Sequence, residues 1–167
     1  MESTFRKRRL MAVGAVALTM GLVSACSSDS SSTAASTDTS SAATTGSTGG
    51  TVPVTLQEFA ISAPPSAAAG PITFDVSNTG PNDTHEFVVF KTDLAPTDLP
   101  VDEKGVVEEE GEGVEHVDEI EDIGVGDTQS LTVDLDAGSY VLICNIYDKK
   151  DNEAHYSEGM RIGFTVE

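Results

Sequence analysis

The sequence predicts an all-β domain, an antiparallel β-sandwich from Thr51 to Glu167, on three observations. Apolar and polar residues alternate over short runs, clusters of Gly, Pro, Asp and Asn separate those runs, and no segment carries a capped helical stripe. Val52, Val54 and Leu56 alternate first. Ile72, Phe74 and Val76 follow an Ala/Pro/Gly-rich turn at Pro64–Pro71. His85–Phe90 is β-branched and aromatic, and Leu131, Val133 and Leu135 alternate against Thr132 and Asp134. Tyr140–Cys144 is a continuous apolar run, and Ile162, Phe164 and Val166 alternate to the last residue. The stretch has the length of one ordinary domain with one core, and it contains no internal repeat.

Ahead of this domain the chain changes character twice. Arg6, Lys7, Arg8 and Arg9 lead into an apolar stretch from Leu10 to about Ala25. It is short of the roughly 20 apolar residues of a membrane span, and it suits a cleaved signal peptide. Leu22-Val23-Ser24-Ala25-Cys26 resembles the lipobox of bacterial lipoproteins. That resemblance implies a signal peptide over residues 1–25, lipidation of Cys26 and attachment to the outer face of a membrane or in the periplasm. An ordinary secretory cleavage site is the alternative. Residues 26–50 comprise that Cys and a Ser/Thr/Ala/Gly tract with Asp29 and Asp38 its only charges. Such a tract buries too little apolar surface to offset its ordering entropy and is expected to be a disordered linker. Its 24 residues from Ser27 to Gly50 would reach roughly 25–30 Å as a flexible coil.

The chain has two cysteines and three histidines. With Cys26 taken by lipid, Cys144 has no disulfide partner in a protein expected outside the reducing cytoplasm. Cys144, His155 and Met160 follow one another near the C-terminus, and His85 opens an earlier apolar run. One thiolate, two imidazoles and one thioether make up the donor set of a mononuclear blue-copper site, in which soft sulfur selects copper and a weak Met lies on the axis. Taken singly, each residue has a plainer reading: a structural histidine, an inert buried thiol or a packed methionine. Their order and strand positions favour the joint one.

Two stretches resemble the cupredoxins, the small blue-copper proteins that include plastocyanin, pseudoazurin and sulfocyanin. The first is Asn78-Thr79-Gly80-Pro81-Asn82-Asp83-Thr84-His85-Glu86-Phe87-Val88-Val89. The second is Ala137-Gly138-Ser139-Tyr140-Val141-Leu142-Ile143-Cys144, followed by His155-Tyr156-Ser157-Glu158-Gly159-Met160. The resemblance implies a Greek-key β-sandwich holding one type 1 copper. His85, Cys144 and His155 would be equatorial ligands and Met160 the axial one. The N–H of Glu86 would bond the Cys144 sulfur, and His155 would be the ligand nearest solvent. Tyr140 is expected to tie down the turn at Gly138 through its hydroxyl. One departure stands out: ten residues separate Cys144 from His155, where small electron carriers have two to four, while the four between His155 and Met160 fit.

Residues 98–127 hold thirteen acids against Lys104 alone, and they read as a solvated, partly mobile insert or as a docking surface for a cationic partner such as a basic cytochrome. His116, within it, is expected to face solvent. The formal charge is −19, and removal of residues 1–25, with four basic residues and one acid, leaves −22. So acidic a chain makes a poor nucleic-acid binder. Three histidines are too few for a trinuclear copper cluster, so no catalysis is expected. The resemblance implies one-electron transfer by a monomer. A copper storage, delivery or sensing protein is the first alternative, and a metal-free interaction module the second.

Overall fold

A computed structural model of the protein describes residues 50–167. The expected signal peptide, Cys26 and nearly all of the linker lie outside the described residues. Eleven strands and one helical turn make up the described part: β1 Thr51–Gln57, β2 Ala60–Ser62, β3 Ser66–Ala67, β4 Gly70–Asn78, β5 His85–Lys91, β6 Glu115–Ile123, β7 Thr128–Leu135, β8 Gly138–Ile143, β9 Tyr147–Asp148, β10 Glu153–Ala154, α1 His155–Glu158 and β11 Arg161–Val166. Among these residues no helix is long and apolar enough to cross a membrane.

Two sheets form the sandwich. One has the order β2-β1-β4-β7 and the other β3-β11-β8-β5-β6, while β9 and β10 form a separate hairpin. The alternating residues face inward as their period requires: Val52, Val54, Leu56, Ile72, Phe74 and Val76 from one sheet meet Phe87, Val89, Tyr140, Leu142, Phe164 and Val166 from the other. Phe74 lies at the centre, its ring 5.2 Å from Phe87 and 5.5 Å from Phe164.

The strand pattern differs from a purely antiparallel sandwich. β1 pairs with β4, and β3 with β11, in parallel. Alternation reports which face of a strand is buried and carries no information about the direction of its neighbour. The Pro64–Pro71 stretch is also more than a turn, because β3 lies within it and pairs with the end of β11.

The acidic segment does two things. Its first half lays Leu99 and Val107 over Val88, Phe90, Val141, Ile143 and Tyr156 on the outer face of the second sheet. Strand β5 is therefore buried on both faces, which explains its unbroken apolar run. Its second half supplies β6, the edge strand beside β5. Acidic side chains on such an edge discourage pairing with another chain. A register shift opposite Val89 and Phe90 places His116 across from Phe90 and Glu119 across from Val88, so both project from the outer face.

The five-stranded sheet brings the expected ligands together. β8 lies between β5 and β11 and runs antiparallel to both. The start of β5, the end of β8 and the start of β11 therefore share one edge of the sandwich. His85 opens β5, Cys144 directly follows β8, and Met160 directly precedes β11.

Candidate metal centre

Each donor is held by the backbone around it. Ahead of His85 the chain turns at Gly80, whose φ of 67° and close approach to Val125 leave no room for a Cβ. Asn78 clamps that turn: its side chain donates to the carbonyls of Asp83 and Ile123, at 2.8 Å each, and accepts the N–H of Gly80 at 2.8 Å. The N–H of Cys144 donates to the Met160 carbonyl at 3.1 Å, and that of Met160 donates to the His155 carbonyl at 3.0 Å. The long segment between Cys144 and His155 folds into the β9–β10 hairpin, and the His155 N–H closes it on the Ile146 carbonyl at 2.9 Å. The ten-residue separation thus leaves the approach of His155 to Cys144 intact.

The result is a compact triangle. Nδ1 of His85 and Nδ1 of His155 are 3.2 Å apart, and Sγ of Cys144 lies 3.8 Å from the first and 3.4 Å from the second. The point equidistant from these atoms is about 2.0 Å from each, the bond length of a first-row ion to imidazole nitrogen and about 0.3 Å short of that to thiolate sulfur. Met160 is fully buried and belongs to the same core group as Cys144. Together the four supply the donor types of a type 1 copper centre.

The electrostatics fit a cation as well. Burial, followed by the neighbouring His155, lowers the pKa of His85, and burial lowers that of His155, so both rings favour the neutral form that ligates. Two neutral imidazoles that both turn Nδ1 lone pairs inward repel each other unless a cation lies between them. Burial pushes the Cys144 thiol up to about 12, against the N–H groups of Glu86 and Ile146. A thiolate there needs a positive charge beside it. The Glu86 N–H points at the sulfur at 3.3 Å, as the resemblance implied.

His155 is 2 % exposed against 0 % for His85, so it is the imidazole nearer solvent, though only by a sliver. The edge of Phe59 packs on it with ring centroids 5.3 Å apart. Outside it opens a shallow depression lined by Asn82, Asp83, Thr84, Asp122, Ile146, Asp148 and Lys150. The mouth of the site is polar, with three acids, Asp83, Asp122 and Asp148, against Lys150.

Other expectations also find their place. The Tyr140 hydroxyl donates to the Asp136 carbonyl at 2.8 Å and braces the turn into β8. His116 is exposed, with Nε2 3.4 Å from a Glu119 oxygen, and these two with Glu109 form an open group on the outer face that leaves no buried polar atom unpartnered.

Four residues near the centre escaped the sequence reading: Glu58, Phe59, Asn78 and Asn145. Asn145 follows Cys144 and stitches it to the acidic cover, accepting the Val107 N–H at 2.7 Å and donating to the Val107 carbonyl at 3.1 Å. Its own N–H donates to Glu86 at 3.2 Å. Burial, then the charges of Glu119, Glu109 and Glu121, raises the Glu86 carboxyl to about 7, opposed by that N–H. The only sequence signal for Asn145 was its position, a polar residue ending an apolar strand.

No protein-family model and no curated protein matches the sequence. Solved structures do. Dithionite-reduced auracyanin from the photosynthetic bacterium Roseiflexus castenholzii is 20 % identical, with 73 % of this chain and 99 % of that one covered and a TM-score of 0.50. Auracyanin B is 20 % identical over 71 % of this chain and 88 % of that one, with a TM-score of 0.48. Reduced rusticyanin is 16 % identical over 70 % and 78 %, also at 0.48. Identities this low speak to the fold alone. That fold is the cupredoxin β-sandwich.

Proposed function

We propose that this protein is a lipid-anchored, extracytoplasmic type 1 copper protein that passes single electrons between redox partners. The observation that carries the reading is the buried triangle of two Nδ1 atoms and one Sγ, with the buried Met160 tied by backbone hydrogen bonds to Cys144 and His155. Copper, when bound, supplies the one-electron change. The chain supplies donors held by backbone hydrogen bonds on three neighbouring elements, so little can rearrange when the charge changes. His155, under its thin cover, offers the shortest way out to a partner.

Attachment through Cys26 and export by residues 1–25 belong to the same proposal and rest on the lipobox-like sequence. For the partner, the acids Asp83, Asp122 and Asp148 around the His155 depression favour a cationic redox protein such as a basic cytochrome, since opposed fields steer encounter.

Cu(II) added to the purified protein is expected to give an intense blue or green thiolate-to-copper band and a reversible voltammetric wave. Cys144→Ser is expected to abolish the band completely. A colourless protein that binds Cu(I) and hands it rapidly to a chelator would instead support storage or delivery. The near-complete enclosure of the donors argues against such ready exchange.

A further inference from the structure

Among the described residues only two buried side-chain polar atoms lack a hydrogen-bond partner: Nε2 of His85 and Oε2 of Glu58. They belong to neighbouring side chains. The other oxygen of Glu58, Oε1, lies 3.9 Å from that same Nε2, and the two side chains are 10 % and 0 % exposed. Buried polar groups in folded proteins are nearly always paired, so two orphans side by side require an account.

Glu58 is firmly held. Its Oε1 accepts the backbone N–H of Asn82 at 2.9 Å and of Asp83 at 2.5 Å, in the turn that delivers His85. With two N–H groups bonded to its Oε1, Glu58 presents an acceptor to its surroundings. His85 turns Nδ1 toward Cys144 and His155. For that nitrogen to offer its lone pair, the ring proton must be on Nε2, the atom next to Glu58. The next residue, Phe59, packs on the other imidazole, His155. One two-residue turn between β1 and β2 thus touches both rings.

We propose that Glu58 is a positioning residue for the metal centre: its carboxylate accepts the Nε2–H of His85, fixes the tautomer that leaves Nδ1 free for the ion, and orients the ring. This rests on the reading of His85 as a ligand. The contact reaches hydrogen-bond range, about 2.7–3.2 Å, when the two side-chain tips close by roughly 1 Å. A carboxylate behind a ligating imidazole strengthens the ligand, and its charge favours the higher oxidation state of the bound ion.

Glu58→Gln tests this, because its amide oxygen still accepts from Asn82 and Asp83 but carries no charge, and so accepts the Nε2–H far more weakly than the carboxylate oxygen that lies 3.9 Å from it. In the metal-free protein, two-bond proton–nitrogen NMR is expected to show His85 as the Nε2–H tautomer in the wild type and a shift toward Nδ1–H in the variant. Affinity for Zn2+ alone, by calorimetry, is expected to fall 10–100-fold, and in the copper-loaded variant the reduction potential is expected to move positive. An unchanged tautomer with Zn2+ affinity within twofold would overturn the proposal and reduce Glu58 to a clamp on the turn. If the variant fails to fold, the wild-type spectrum decides: an Nδ1–H tautomer at His85 overturns the proposal and an Nε2–H tautomer supports it. A wild-type protein without a blue copper band would sink the electron-transfer reading, while the tautomer and Zn2+ results would still decide the role of Glu58.

Discussion

His85 and His155 turn their Nδ1 atoms toward each other across 3.2 Å, yet the rest of each ring meets different surroundings. His85 opens a strand buried on both faces, behind a turn clamped by Asn78 and beside the carboxylate of Glu58. His155 opens a single helical turn at the end of a surface hairpin, under the edge of Phe59 and beside an acidic depression. One ligand is built into the interior and the other is assembled at the rim. On the proposed function, the difference would separate two tasks that a single buried residue cannot share: holding the ion's geometry and giving a partner access to it.

The comparison breaks most sharply if each ring is removed in turn. His155→Gly with copper is expected to lose its blue band and regain it when free imidazole is added, since the gap opens toward the depression. His85→Gly is expected to lose the band without rescue, since its gap is closed on every side; absorption spectra read both outcomes. Equal rescue of the two variants would erase the distinction.

Stability sharpens the contrast less dramatically. Asn78→Ala strips partners from the carbonyls of Asp83 and Ile123 and from the N–H of Gly80, and denaturant unfolding is expected to show a loss of about 2–4 kcal/mol. On the rim, Tyr147→Phe removes only an exposed hydroxyl bond to Asn152, and the change is expected to stay within about 0.5 kcal/mol. The smallest effect concerns charge. Asp148→Asn is expected to slow electron exchange with a basic cytochrome a few-fold at low ionic strength and not at all near 1 M salt, where screening reaches about 3 Å. Stopped-flow rates against salt would show it, and a flat profile in the wild type would remove the acids at the rim from any role in docking.

The strands that carry the core were legible because period-2 alternation is a local property of the chain, and the donor set was legible because its residue types are rare and ordered. What escaped detection depended on distant partners. Glu58 matters through Asn82, Asp83 and His85, more than twenty residues away, and Asn145 through Val107. The burial pattern of β6 shows only two buried positions in nine residues, so its acidic surface hid a strand that pairs along one edge. The helical turn at His155 is four residues long, too short to write a stripe into the sequence. Direction of pairing, as between β1 and β4, has no signature in one chain segment at all.

The closure of the β9–β10 hairpin on itself has an evolutionary consequence. Because the main chain re-enters at Ile146 and His155, one hydrogen bond apart, the residues between them form a detachable module. Its length and charge can be exchanged by insertion or deletion, giving the same triangle of donors a different outer face.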